Sequence, residues 1–154
     1  MTRHKATHVI HAGLFGNMPK WLNEGLSECF ELLAVREQSG IVEFSPQWHQ
    51  SVMDSWRQNK LIPLNTYFRM NGNDWSHYDS AQTYGVVWSL VHLMLSDNYR
   101  KNIFTSMLKE LADNYCAPFD TTVFLNTRYD GGARKLERDW KQWLNHGLHS
   151  AHIY

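Results

Sequence analysis

His4 and His8 stand four residues apart near the start of the chain. On a helix that spacing puts both imidazoles on one face, about one turn apart, where they can share one metal ion. His11 extends the stripe, because seven residues bring a helix back to within ~20° of its starting direction. Glu24, Glu28 and Glu31 repeat the spacing of four and then three, which makes a carboxylate stripe on a second helix. A short glycine-containing turn joins the two segments, so they can lie side by side and antiparallel, histidines facing carboxylates. Zinc accepts nitrogen and oxygen donors, and a catalytic zinc keeps three protein ligands and one open position. His4, His8 and one of the glutamates would complete such a set. Each stripe also has a plainer reading: a polar helix face with incidental histidines, and a solvated acidic face paired with lysines.

The stretch His4-Lys5-Ala6-Thr7-His8, followed by Met18-Pro19-Lys20-Trp21-Leu22-Asn23-Glu24-Gly25-Leu26-Ser27-Glu28, resembles a gluzincin-type zinc peptidase, of the bacterial branch described as peptidase MA-like. In gluzincins an H-E-x-x-H helix is followed by a second helix bearing an N-E-G or N-E-A motif. The resemblance implies that His4, His8 and Glu24 are zinc ligands, with fifteen residues between His8 and Glu24. It also implies that Glu28 is a carboxylate orienting a ligating histidine. Similar chains continue with a helix reading Tyr-x-x-x-Trp-Ser-Leu-Val-His, here residues 84–92, and end in a helix bearing tryptophans, here Trp140 and Trp143. The resemblance therefore spans nearly the whole chain and implies a peptide or protein as ligand.

One residue departs from that pattern. The family's general base follows the first histidine, and here that residue is Lys5. An ammonium cannot accept a proton while charged, and it repels a nearby cation. Losing a positioned base costs on the order of 10²–10⁴ in rate. The resemblance thus implies a metallopeptidase domain with impaired hydrolysis. The alternative is a non-enzymatic helical interaction module that keeps the fold and uses the former cleft for recognition. Tyr84, Tyr78 and His77 are candidate hydrogen-bond donors to an oxyanion. Tyr84 also fits an apolar stripe with Val87, Trp88, Val91 and Leu95, where it would be a core aromatic with a satisfied hydroxyl. His92, on the same helix, reads as a packed histidine. His146, His149 and His152 read as an exposed tail. Asp130-Gly131-Gly132 is too short for a phosphate loop, and no G-x-S-x-G or P-loop occurs.

Helices must position these residues, and the pattern predicts them almost throughout. The first runs over residues 2–12, broken by Gly13 and Gly16. The second opens at Asn17-Met18-Pro19, carries Trp21, Leu22, Leu26, Cys29, Phe30 and Leu33 on one face, and ends at Ser39-Gly40. Residues 41–44 form a short extended piece. Ser45-Pro46 caps a third helix to about residue 59, and residues 61–70 hold a short helix after Pro63. Residues 71–74 are a turn, 79–95 and 99–112 are helical, and Asp120 caps a short helix through 129. A last helix spans 134–148. The fold class is mainly α, one domain over 1–154, corresponding to the helical catalytic subdomain of a zincin-like fold. The β-sheet that precedes the motif helix in gluzincins is absent. With the motif three residues from the start, the chain reads as a fragment or truncated form, its open face covered by a missing N-terminal domain or by a second copy.

Composition sets the remaining bounds. Hydrophobic residues form 43% of the 154, enough for a real core, with seven each of Trp, Tyr and Phe to bridge helices. Fifteen basic and fifteen acidic residues balance, so no net field favours nucleic acid. No apolar run approaches the ~18 residues of a membrane span. The two cysteines, Cys29 and Cys116, share no motif, and Cys29 sits in a helical apolar pattern as a buried thiol. No signal peptide is evident, and these residues leave the compartment open although related proteins are often exported.

Overall fold

Side-chain caps open five of the helices in the computed structural model, which describes residues 2–146 and 151–152. Thr2 accepts from the Lys5 N–H to open α1 (Arg3–Phe15), and Gly16 closes it at φ 64°, a left-handed conformation suited to glycine. Gly13 does not break the helix as expected. One exposed glycine costs a helix only about 1 kcal/mol, which the remaining turns outweigh. Pro19 precedes α2 (Lys20–Glu31), which runs back antiparallel to α1 and buries Trp21, Leu22, Leu26 and Cys29.

The second helix is shorter than its sequence suggests. It stops at Glu31, and the chain enters a hairpin of β1 (Leu33–Arg36) and β2 (Ser39–Val42). The turn places Glu37 at φ 53°, so a left-handed non-glycine residue does the work usually signalled by Asn-Gly. A third strand, β3 (Ala151–His152), pairs antiparallel with β2 in the order β1-β2-β3, with Ile41 opposite His152. The expected tail is therefore partly a strand, while His149 lies outside the described residues and His146 is exposed.

Ser45 caps α3 (Pro46–Arg57) by accepting from the Trp48 N–H. Pro63 precedes α4 (Leu64–Arg69). The expected turn at 71–74 is instead a one-turn helix, α5 (Gly72–Trp75), held by a reciprocal capping box between Asn71 and Asp74. The long helix expected over 79–95 is split into a π-helical turn, Ala81–Gly85, and α6 (Val86–Met94). Asp97 caps α7 (Asn98–Asp113), Asp120 caps α8 (Thr121–Arg128), and α9 (Gly132–His146) follows.

Every residue of α6 is buried, and this helix is the hub on which α2, α3, α7 and α9 pack. Trp88 of α6 and Trp140 of α9 are both fully buried, and Trp140 Nε1 donates to Ser89 Oγ at 2.9 Å. Trp21 likewise reaches from α2 to Thr121 Oγ1 at 2.9 Å. Phe44, Trp88 and Trp143 surround the fully buried His92, which is a packed histidine as expected. The fold is mainly α-helical, and no described helix is long and apolar enough to cross a membrane. This architecture sets α2 rigidly between the core and α1.

Candidate metal centre

The two stripes do meet, and the spacing of their atoms is specific. His4 Nε2 and His8 Nε2 lie 3.0 Å apart, and Glu24 Oε2 stands 3.3 Å from the first and 3.4 Å from the second. A tetrahedral zinc with bonds of about 2.0–2.1 Å has ligand-to-ligand edges of about 3.3–3.4 Å, so these three donors form one face of such a polyhedron. Glu24 is buried at 5% exposure while both imidazoles remain half-open, which leaves solvent a route to the ligand face.

The ring nitrogens on the far side fix the tautomers. His4 Nδ1 faces Glu28 Oε1 at 3.2 Å, and His8 Nδ1 faces Asn23 Oδ1 at 2.9 Å. A carboxylate and an amide oxygen accept only, so each neutral ring carries its proton on Nδ1 and presents an Nε2 lone pair to the other. Two lone pairs and a carboxylate oxygen then converge within hydrogen-bond distance. Such a trio is stable only with a proton or a cation among its members. The donor set fits zinc, and His4, His8 and Glu24 form the one such cluster among the described residues.

Several supporting side chains have no signature in the sequence pattern. Asn23 Oδ1 also accepts from His11 Nδ1 at 2.7 Å. His11 is therefore not a fourth ligand but a buried neighbour that locks Asn23. Burial lowers its pKa, a trend opposed by the bond to Asn23 and aided by the adjacent His8, so the neutral ring is favoured. Lys20 donates to Glu24 Oε1 at 2.6 Å and lies over the Trp75 ring, which leaves Oε2 as the oxygen turned to the histidines. Trp48 Nε1 donates to Glu28 Oε2 at 3.1 Å. Burial raises the Glu28 carboxyl, against the lowering effects of His4 and Trp48 and with further raising from Glu24 and Glu31. Glu31 itself is exposed and lies outside the donor set.

Lys5 is exposed, and its ammonium makes no bond with a described residue. Of the three candidate oxyanion donors, Tyr84 alone reaches the centre. Its ring packs edge-on against His4 at 6.5 Å and against Trp75 at 5.7 Å, on the π-helical turn. The hydroxyl has no hydrogen-bond partner among the described residues, contrary to the expectation of a satisfied core phenol. Tyr78 lines a separate cavity, and His77 is exposed.

Residues 2–120 match a family model described as "Protein of unknown function (DUF1570)". The chain belongs to the DUF1570 family. The matched span contains His4, Lys5, His8, Asn23, Glu24 and Glu28, so the whole centre lies in the family domain. No curated protein and no solved structure matches the chain.

Proposed function

We propose that this DUF1570 domain binds one zinc ion in a gluzincin-like centre and that its peptide hydrolysis is impaired by Lys5. The observation that carries the reading is the convergence of His4 Nε2, His8 Nε2 and Glu24 Oε2, with edges of 3.0, 3.3 and 3.4 Å. Zinc held there would supply Lewis acidity, polarising a carbonyl and making water a better nucleophile near neutral pH. The chain's own residues account for the rest. Glu28 and Asn23 hold the two rings in the ligating tautomer, and Lys20 keeps Glu24 turned toward them. Tyr84, whose ring packs edge-on against His4 and whose hydroxyl has no partner among the described residues, is the group suited to donate to a developing oxyanion. Lys5 cannot take a proton from water as the glutamate of a gluzincin would, and it adds positive charge one residue from His4.

The test is elemental analysis of protein purified without chelator. About one equivalent of zinc per chain is expected, and it should be absent from His8→Ala and Glu24→Ala. Protein that neither carries nor takes up zinc would end the proposal. In zinc-loaded protein, Lys5→Glu should raise peptide hydrolysis by about 10²-fold or more, reversibly abolished by a chelator. No gain would remove the peptidase half of the reading and leave a metal-binding module.

A further inference from the structure

We infer that the cavity beside the metal centre binds the free C-terminal carboxylate of a peptide, with Arg69 as its anchor. The cavity, about 720 Å³, opens between the α1–α2 turn, the α4–α5 segment and the loop before α8. It adjoins the centre through Lys20 and Asn23, the residues bonded to Glu24 and His8. Met18, Phe68 and Met70, each 9% exposed or less, give it an apolar wall. Arg69 lines both this cavity and a neighbouring one of about 530 Å³. Arg69 is exposed, and its guanidinium makes no hydrogen bond or ion pair with a described residue.

The other charges around it are engaged. Lys20 is paired with Glu24, and Asp120 Oδ1 accepts from the Val123 N–H as a helix cap. In the second cavity, Asp74 Oδ2 accepts from the Asn71 N–H. What remains is one uncommitted guanidinium over an apolar wall. A guanidinium fork matches a carboxylate with two parallel hydrogen bonds. The wall beside it suits the side chain of the residue that owns the carboxylate. A C-terminal residue offers a carboxylate and an apolar side chain from the same Cα, which is the pairing that Arg69 and the wall of Met18, Phe68 and Met70 present. The volume lies within the ~300–1,000 Å³ typical of small-ligand sites and suits one or two residues.

This deepens the reading above, on which it rests for treating the ligand as a peptide, yet binding at Arg69 needs no metal. The test titrates N-acetyl-alanyl-leucine, its C-terminal amide, and N-acetyl-alanyl-glutamic acid α-amide, whose side-chain carboxylate is free, into chelator-treated and zinc-supplied full chain, followed by amide NMR shifts. The free acid should bind in both samples and move resonances of residues 68–72 and 118–121. The two amides should bind roughly tenfold or more weakly, and Arg69→Met should weaken the acid to the same degree. Equal binding of acid and amides, an unchanged Arg69→Met, or no binding by the acid would each overturn the inference. Zinc content measured on the same samples shows separately whether the metal reading stands.

Discussion

Gly25, the residue after Glu24, lies where α2 comes close against the core helix α6. A Cβ built there would lie 2.6 Å from Val91 Cγ2 and 2.7 Å from the Val87 carbonyl oxygen. The methyl of Val91 can rotate away, but the carbonyl belongs to a helix buried along its whole length. Gly25→Ala must therefore push the two helices apart by roughly 0.7 Å to restore van der Waals contact. Overpacking of this kind costs about 1–3 kcal/mol, or roughly 2–12 °C in Tm for a chain of this size. The same displacement drives Glu24 against the histidines of α1 and upsets the spacing of the three donors, so zinc should also be held less tightly. Gly13 supplies the control. It is exposed on α1, and a Cβ there meets nothing within 4 Å. Gly13→Ala should add about 0.5–1 kcal/mol through helix propensity alone. The assay is thermal unfolding followed by circular dichroism, at fixed zinc and again in chelator. A Gly25→Ala protein as stable as the parent would refute the close packing of α2 on α6.

Three further outcomes are expected. Asn23→Ala removes the acceptor shared by His8 and His11 and should weaken zinc binding by about 10–100-fold in competition with a chelating dye; unchanged affinity would deny Asn23 its orienting role. Burial raises the Asp139 carboxyl, but hydrogen bonds from Lys135 and Tyr129 and the charges of Lys135 and Arg100 outweigh it and hold it below its ordinary value of 3.8. A carboxylate so held stabilises the fold above its unfolded pKa and loses that contribution as pH falls through the lower folded value. Asp139→Asn should thus cost about 1–3 kcal/mol at pH 7, and the gap in Tm should begin to narrow below about pH 4 and go on narrowing as pH falls through the lower folded value; a gap independent of pH would contradict it. Zinc should slow amide hydrogen exchange in α1 far more than in α6, and equal slowing in both would show that the metal braces the whole domain rather than one helix.

The meeting of the histidine and glutamate stripes was legible because helical spacing assigns residues to faces, while the choice of Glu24 among the three glutamates came from the gluzincin resemblance. His4 with His8, and Glu24 with Glu28, needed only a period of 3.6 and an antiparallel turn to be set opposite each other. Asn23 was not legible in the same way. Its role exists only once α1 lies against α2, since its acceptor oxygen serves two imidazoles from the other helix. The hairpin escaped because Leu33 continues the apolar stripe of α2, and because its turn relies on Glu37 at positive φ rather than on glycine. The π-helical turn is a one-residue change of phase inside an apolar run, and it leaves no mark on residue type. Yet that turn carries Tyr84, the side chain packed against His4. Arg69 carries no motif either, and its significance comes from the cavity around it and from its lack of a partner.

The centre joins two helices of very unequal anchorage. Helix α2 meets α6 at Gly25 and buries Trp21, Leu22 and Leu26 in the core, so its position does not depend on a metal. Helix α1 buries only Thr7 and His11, while Val9, Ile10 and Leu14 are 66%, 57% and 57% exposed. Apart from packing on α2 and α7, it is held by polar ties: Arg3 to the Leu33 carbonyl, the Tyr115 hydroxyl to the Ala12 carbonyl, and the histidine contacts themselves. A cation shared by His4, His8 and Glu24 would therefore act mainly on α1, fixing the helix that supplies two ligands against the helix that supplies the third. Binding energy used that way orders one element on a preformed domain, unlike a zinc finger, where the metal makes the fold. The large tryptophan core around α6 persists without it, so variants of the ligands should stay folded and report on the site alone.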